Sequence, residues 1–241
     1  MKYIHFDTIN STNTYLKENY LSLEHLTVVS ASHQTQGRGR NGRFWYDEDD
    51  AMFSILLKEN ISNPTDYTFI AALTVLKVLN FYNLKPLIKW PNDLYVNDKK
   101  IAGILLEGVI KDNKQACVII GIGVNTNSIS FNNEYRVPPT SIKLETDQEV
   151  NNIDFIKKCG EEFINLLKKY EKDSSYWVKP INDNFYLKDK KISFKSKDKN
   201  LVGNAVGVDE DGKLIVYHIN DTYLLSSDEV YVIESKIANK C

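Results

Sequence analysis

The sequence has no long apolar run and almost no excess of charge of one sign. The best apolar stretch, 116–124, has nine residues including two glycines, a length that suits a buried strand and not a membrane-spanning helix. Lysine plus arginine number 30 and aspartate plus glutamate 32, for a net charge of −2 at pH 7. We therefore expect no membrane association, and no overall field that draws the chain to DNA.

Cysteine and histidine are also scarce, with three and four residues in 241. Cys117, Cys159 and Cys241 are far apart, and no two histidines have the i, i+4 spacing of a metalloprotease helix. We expect free thiols, no cysteine nucleophile and no histidine metal site. The residues before Ser11 show no charged segment followed by an apolar block, so no secretion signal is read and a cytoplasmic protein is expected.

The apolar patterns predict a mixture of helices and short strands. Helical spacing is predicted for about 11–20, from after Pro64 to near 83, and for about 153–172, while strands are predicted at 27–32, 52–57, 87–89, 94–96, 101–108 and 116–123. Tight turns at Asn97-Asp98 and Asp112-Asn113 make neighbouring strands antiparallel. From about Lys191 only short strands follow, with a hairpin turn at 209–212, which indicates a small all-β module.

Arginine is the scarcest charged residue, and its distribution is uneven. The chain has four arginines, and three of them, Arg38, Arg40 and Arg43, fall within six residues among glycines. We call Gly37–Arg43 the glycine-arginine loop. Glycines let backbone amides approach a ligand, and guanidinium groups suit phosphate or carboxylate, so the loop indicates an anion site. A solvated basic loop and an RNA contact remain alternatives.

A second motif, Lys-Trp-Pro-Asn-Asp at 89–93, is followed by Lys100. Proline cannot continue a central strand, so the segment predicts a turn that projects Asn92 and Asp93. Asp93 is a candidate magnesium ligand, because magnesium uses one or two carboxylates and completes its shell with water and phosphate. An Asx turn that caps a hairpin is the alternative. Lys100 could be directed at the same anion.

A third motif, Gly-Ile-Gly-Val-Asn at 121–125, ends an apolar strand. Two glycines in a strand make sense where a flat ligand lies against the backbone, with Asn125 offering a donor and an acceptor to a ring edge. A bulge at a strand end is the alternative. The motif is neither a Rossmann fingerprint nor a P-loop, so these two nucleotide-binding folds are not expected.

Together with Ser11-Thr12-Asn13 and Gln34, these motifs resemble, in order and spacing, the biotin protein ligases. The resemblance runs from about residue 5 to about 210. It implies an α+β fold with a central mixed, largely antiparallel sheet and flanking helices, related to class II synthetases. A catalytic domain at 1–185 and a small SH3-like barrel at 186–241 are further implications.

The same resemblance implies roles for individual residues. Lys100 and Arg40 are implied to be catalytic, with Lys100 at the reacting carboxylate and α-phosphate. The implied biotin-binding residues are Ser11, Thr12, Asn13, Gln34, Gly37, Arg38, Gly39, Arg40, Lys100, Gly103 and Leu105. The implied ATP-binding residues are Arg40, Arg43, Trp45, Lys89, Asn92 and Asn125, and the implied metal ligand is Asp93.

The implied activity is ATP- and Mg²⁺-dependent formation of biotinyl-5′-AMP and transfer of biotin to a lysine of a biotin carboxyl carrier domain. The ligase pattern begins within the first dozen residues, without the winged helix of DNA-binding relatives, so no repressor activity is expected. A homodimer is possible. Two alternatives remain open, a lipoate or octanoate ligase of the same fold and a non-enzymatic module that binds biotin or nucleotides.

Overall fold

The computed structural model describes residues 1–45, 49–58, 61, 63–112, 114–131, 137–196, 199–227 and 230–231. Asn113 and Cys241, named above, and the fourth arginine, Arg136, lie outside these residues. The elements before residue 125 are β1 (Lys2–Ile9), α1 (Thr12–Asn19), β2 (Thr27–Gln34), β3 (Ala51–Leu57), α2 (Asp66–Asn80), β4 (Leu87–Lys89), β5 (Asp93–Val96), β6 (Lys99–Lys111) and β7 (Lys114–Val124). The later ones are α3 (Ile142–Thr146), α4 (Asn152–Lys172), α5 (Val178–Asp183), β8 (Lys191–Ser196), β9 (Lys199–Val208), β10 (Leu214–His218), β11 (Asp221–Leu225) and β12 (Val230–Tyr231).

The first seven strands form one sheet in the order β1-β2-β3-β7-β6-β5-β4. β1 and β2 are parallel and joined through α1, while every other neighbouring pair is antiparallel. The short connections between β4, β5, β6 and β7 leave room only for antiparallel neighbours. The expected mixed, largely antiparallel sheet with flanking helices is confirmed.

Helices cover both faces of this sheet because successive side chains of a strand point to opposite faces. On one face Val28, Ile55 and Ile120 join the large core that includes α2 and α4. On the other face Val29, Leu56 and Ile119 pack with Leu16 of α1. The sheet is therefore a buried central layer, and side chains at its strand ends are held on a rigid frame.

The two cysteines that the structure describes are free and buried. Burial raises the pKa of the Cys117 thiol and of the Cys159 thiol above the usual range. A raised pKa keeps both groups protonated at neutral pH, so neither has the thiolate that a cysteine nucleophile needs.

Strands β8 to β12 form a second, antiparallel sheet in the order β11-β10-β9-β8-β12. The hairpin between β9 and β10 turns at Gly212, whose φ is 77°, as the sequence predicts. This sheet is docked on the first part of the chain: Trp90 Nε1 donates to Gly212 O over 2.9 Å, and Asn182 exchanges two hydrogen bonds with the backbone of Val208. The SH3-like assignment and the boundary after residue 185 stay predictions.

Three elements were not predicted from sequence: β1, α3 and α5. α3 and α5 have five and six residues, too few to show helical periodicity. β1 lies at the edge of the sheet and depends on a parallel partner across α1, which no local pattern indicates. Within the described residues, no helix combines the length and apolar character needed to span a membrane.

Candidate active site

A cavity of about 2160 Å³ opens at the end of the central sheet where β2, β5, β6 and β7 meet the glycine-arginine loop. All but one of the predicted site residues line it; the exception is Gly37. Gly37 is buried, and a Cβ there would lie 2.6 Å from the carbonyl oxygen of Trp45. This glycine therefore permits close backbone packing at the base of the loop and does not face the cavity.

One end of the cavity, which we call the ring end, is formed by Ser11, Thr12, Asn13 and Gln34, all buried. Ser11 is the N-cap of α1, and its hydroxyl accepts from the amide of Thr14 over 3.5 Å. Gln34 Oε1 accepts from the Thr12 amide over 2.8 Å and lies 3.1 Å from its hydroxyl. The start of α1 and the end of β2 are thus joined by side chains.

The network at the ring end continues through two residues that sequence analysis missed, Ser54 and Glu107. The hydroxyls of Ser54 and Thr12 are 2.6 Å apart, and Ser54 Oγ donates to Asn13 Oδ1 over 2.5 Å. Asn13 Nδ2 donates to Glu107 Oε2 over 2.7 Å. Ser54 and Glu107 interrupt the apolar runs 51–57 and 101–110, which is the one local signal that could have singled them out.

Asn13 owes its position to Gly121 on β7. A Cβ at residue 121 would lie 2.5 Å from Asn13 Oδ1, so only glycine leaves room for this amide against the strand. The sequence predicts a flat ligand against this glycine, but in the structure the Asn13 side chain lies there.

The glycine-arginine loop is a small hairpin that stands over the cavity. The amide of Gly39 donates to the carbonyl of Arg43 over 2.7 Å, and the chain turns through Asn41 and Gly42, with φ of 58° and 71°. Positive φ costs little for asparagine and almost nothing for glycine, so these residues suit the turn.

The loop's arginines contact different parts of the molecule. Arg38 Nη2 donates to Thr14 Oγ1 over 2.9 Å, which ties the loop to α1. Arg40 donates to Asn92 Oδ1 over 3.2 Å and to Ser227 Oγ over 2.9 Å, so this side chain joins the loop to the Lys89–Asp93 turn and to the second sheet.

Trp45, just after the loop, lies across the ends of β6 and β7. A Cβ at Gly123 would meet its indole at 2.6 Å, and one at Gly103 would meet it at 2.9 Å. Lys100 Nζ lies 5.2 Å from the centre of the indole, within cation–π range. The Trp45 side chain therefore covers Gly103 and Gly123, as the Asn13 side chain covers Gly121.

The opposite end of the cavity, which we call the lysine end, holds Lys89, Asp93 and Lys100. Lys100 Nζ and Asp93 Oδ1 are 2.8 Å apart, an ion pair with both side chains about one quarter exposed. Lys89 Nζ donates to Tyr95 Oη over 3.0 Å and lies 4.7 Å from that ring centre. Two predicted site cations are therefore held by protein partners.

The Lys89–Asp93 turn is anchored to the sheet by Asn92 and includes a cis Trp90-Pro91 peptide bond. Asn92 Nδ2 donates to Ile104 O over 2.9 Å, and the backbone carbonyl of Asn92 accepts from the amide of Ile104 at the same distance. Asn92 can therefore present its side-chain oxygen to Arg40 from a fixed position.

Asn125 is buried behind the lysine end, and its Nδ2 donates to Thr140 O over 2.9 Å. The side-chain donor expected for a ring edge is therefore used by the chain. The next residues are fixed by the buried Asp50, which accepts from the amides of Thr126, Asn127 and Ser128 and from the hydroxyl of Ser128. Burial raises the pKa of Asp50, and these hydrogen bonds counteract the rise.

The model of the biotin/lipoate A/B protein ligase family matches residues 5–125 of this chain. The bifunctional ligase/repressor BirA of Bacillus spizizenii is 29% identical over 204 residues, which are 79% of this chain and 61% of that protein. The chain thus spans less than two thirds of this relative. A biotin--[acetyl-CoA-carboxylase] ligase of Paracoccus denitrificans is 25% identical over 92% of this chain and 97% of its own length.

Among solved structures, the biotin protein ligase from Aquifex aeolicus in complex with biotin and ATP is similar along almost the whole chain. The TM-score is 0.86 at 25% identity, and the match covers 97% of this chain and 99% of that one. The similarity includes the second sheet as well as the first.

Proposed function

The chain belongs to the biotin/lipoate A/B protein ligase family, and on that premise we propose that it is an ATP-dependent biotin protein ligase. It forms biotinyl-5′-AMP and transfers biotin to a lysine of the biotin carboxyl carrier domain of a biotin-dependent carboxylase. The observation that carries the proposal is the shared cavity: the polar network of the ring end, the arginines of the glycine-arginine loop and Lys100 all face it.

The first step joins two anions, which explains the need for cations at the lysine end. A carboxylate oxygen of biotin attacks the α-phosphorus of ATP, the bond to the bridging oxygen breaks, and pyrophosphate leaves. Positive charge placed beforehand lowers the barrier where negative charge accumulates. Lys100, Arg40 and Arg43 line the cavity and supply this charge. The buried ring end orients biotin so that its acid tail extends toward Lys100.

In the structure Lys100 is paired with Asp93. The pair holds the ammonium group at the cavity wall and limits its conformational freedom, so little ordering is left to do when substrate anions arrive. Because the pair is about one quarter exposed, exchanging the carboxylate for a substrate oxygen costs less than it would in a dry interior.

Magnesium enters this scheme with ATP. Within the described ranges no three histidine, cysteine, aspartate or glutamate side chains cluster as a metal site, and one carboxylate suffices for an ion that is held mainly by phosphate and water. Asp93 is the carboxylate that would contact such an ion. The ion would neutralise charge on the phosphates.

The product of the first step is a mixed anhydride that water can hydrolyse. The hairpin formed by the glycine-arginine loop lies over the cavity, with Arg38 and Arg40 bonded to other parts of the molecule. A closed loop excludes water and retains the intermediate. In the second step the amine of the carrier lysine attacks the anhydride carbonyl, AMP leaves, and the nitrogen loses a proton. We assign no side chain as base for that proton.

The deciding experiment supplies ATP, magnesium and either biotin or lipoate, and identifies the acyl-adenylate by mass spectrometry. We expect biotinyl-AMP, followed by a mass increase of one biotin on an added carrier domain. Lipoyl-AMP in its place would make the protein a lipoate ligase of the same family. Binding of biotin in calorimetry without any adenylate would make it a non-enzymatic binding module.

A further inference from the structure

Glu107 is a carboxylate beside the cavity for which the mechanism above has no role. It stands on β6 opposite Ile119 of β7, with its side chain about one quarter exposed. Its Oε2 accepts from Asn13 Nδ2 over 2.7 Å, and the same oxygen lies 3.7 Å from Arg38 Nη2. One oxygen atom therefore lies between the ring end and the glycine-arginine loop.

The orientation of the Asn13 amide requires a hydrogen-bond acceptor at the position of Glu107. Ser54 donates to the amide oxygen of Asn13, so its amide nitrogen must find an acceptor, and Glu107 provides it. Gly121 keeps the amide against β7. The Asn13 side chain can therefore change its orientation only by breaking a bond to Ser54 or to Glu107.

Arg38 lies on the other side of Glu107. This guanidinium also donates to Thr14 on α1, one residue after Asn13. The base of the loop is thus held by a helix that contributes to the ring end and by a carboxylate that is bonded to the ring end.

We propose that Glu107 is a positioning residue that couples occupancy of the ring end to closure of the glycine-arginine loop. A ligand that fixes Asn13 also fixes the Glu107 carboxylate, which then faces Arg38 with its negative charge. The inference rests on the proposed function, since the ligand is biotin and the retained species is biotinyl-AMP. A partly exposed ion pair at 3.7 Å is weak, so its loss changes rates severalfold and does not abolish the reaction.

The test variant is Glu107→Gln, which keeps an oxygen acceptor for Asn13 and removes the charge that faces Arg38. We expect biotinyl-AMP to leave the enzyme about three- to fivefold faster, with the dissociation constant for biotin changed less than about twofold. In the biotin complex, amide hydrogen exchange at 37–44 should be faster than in wild type. Glu162→Gln is the matched control, because it removes a carboxylate ion-paired with Lys77 and neither residue lines the cavity; it should change none of these values.

Arg38→Gln removes the other member of the pair from an exposed loop, where it does not threaten the fold. It should speed release to a similar extent, and the double variant should be no faster than Arg38→Gln alone. Additive effects, or wild-type release from Glu107→Gln, would overturn the role of Glu107. If wild type forms no adenylate, the proposed function fails. Amide hydrogen exchange at 37–44 with biotin alone still tests whether Glu107 couples the ring end to the loop. Absence of biotin-dependent protection in a wild type that does form biotinyl-AMP would overturn the coupling and leave the proposed function standing.

Discussion

The two ends of the cavity are built on different principles. At the ring end, uncharged side chains are buried and hydrogen-bonded to one another, from Gln34 through Thr12 and Ser54 to Asn13. At the lysine end, charged side chains are partly exposed, and Lys100 is paired with Asp93. The first end is a network of hydrogen bonds between uncharged groups, and we expect the ion pair at the second end to exchange partners when substrates bind.

This difference follows from the free energy of burying each kind of group. A buried hydroxyl or amide without a partner costs about 1–3 kcal/mol, so a buried polar pocket must be fully bonded. A charge that must later contact a phosphate or carboxylate cannot be buried deeply without a much larger cost, so it stays near water beside a counter-ion. We therefore expect binding of biotin's rings and catalysis at the phosphate to be altered separately by mutation.

The largest expected effect is at the lysine end. Lys100→Ala should lower the rate of biotinyl-AMP formation by about 10³-fold, because it removes a cation from the site where negative charge develops. Binding of biotin should fall much less. Lys99→Ala is the matched control, since Lys99 is a neighbouring exposed lysine that pairs with Glu145. Near-normal pyrophosphate release by the Lys100 variant would contradict the mechanism.

Gly121 and Gly123 on β7 allow the two ends of the cavity to be tested separately. Gly121→Ala places a methyl group against Asn13 and should weaken biotin binding by about tenfold or more, since the ring-end network must shift. Gly123→Ala instead displaces the Trp45 indole. It should shift the fluorescence of Trp45 to longer wavelength and change biotin affinity less than about threefold. Calorimetry measures the biotin affinity of both variants, and emission spectra, with Trp45→Phe as background, measure the Trp45 fluorescence. Equal changes in the two variants would contradict the separation of the two ends.

A smaller effect is expected from one hydroxyl. Ser54→Ala leaves Asn13 Oδ1 and the Thr12 hydroxyl without a shared partner, so the dissociation constant for biotin should rise about five- to tenfold. The rate of adenylate formation at saturating substrates should stay close to normal. Ser30→Ala makes the same truncation at a buried serine bonded to His5, outside the cavity. Equal loss of biotin affinity in both variants would point to a general effect on the sheet.

The smallest effect concerns stability and pH. Burial raises the pKa of Asp50 in the folded protein above its ordinary value, so the folded state holds this proton more tightly than the unfolded state. The cost of burying the charge is therefore present above the folded pKa and is relieved as pH falls toward the unfolded value. Asp50→Asn keeps an oxygen for the three amides, and its stability relative to wild type should rise between pH 4 and pH 7. Urea unfolding at several pH values measures this, and a pH-independent difference would contradict the assignment.

Short-range features of this chain could be predicted from sequence because their causes are local. The clustered arginines, the Lys89–Asp93 turn, the long helices and the hairpin at Gly212 depend on residue type and spacing over a few positions. The family resemblance added the order of the motifs, and all the implied site residues except Gly37 line one cavity. Their individual roles in binding and catalysis remain proposals.

Contacts between residues that are far apart in the sequence could not be predicted from local patterns. Glu107 reaches Asn13 across 94 positions, and Trp45 covers glycines on two later strands. The sequence predicted a flat ligand against Gly121 and Gly123, whereas the structure places the side chains of Asn13 and Trp45 there. Arg40 meets Ser227 only because the second sheet docks beside the loop.

By itself, then, the sequence determined which chemical groups are available and where the long helices, most strands and the turns form, since propensity, periodicity and residue spacing are properties of neighbouring residues. Tertiary structure alone decided which of these groups are bonded to each other. Strand register places Asp93 opposite Gly103 and Leu105 opposite Gly121, and packing then brings Lys100, Trp45 and Asn13 to these positions. Burial makes those polar contacts obligatory, and burial exists only in the folded chain.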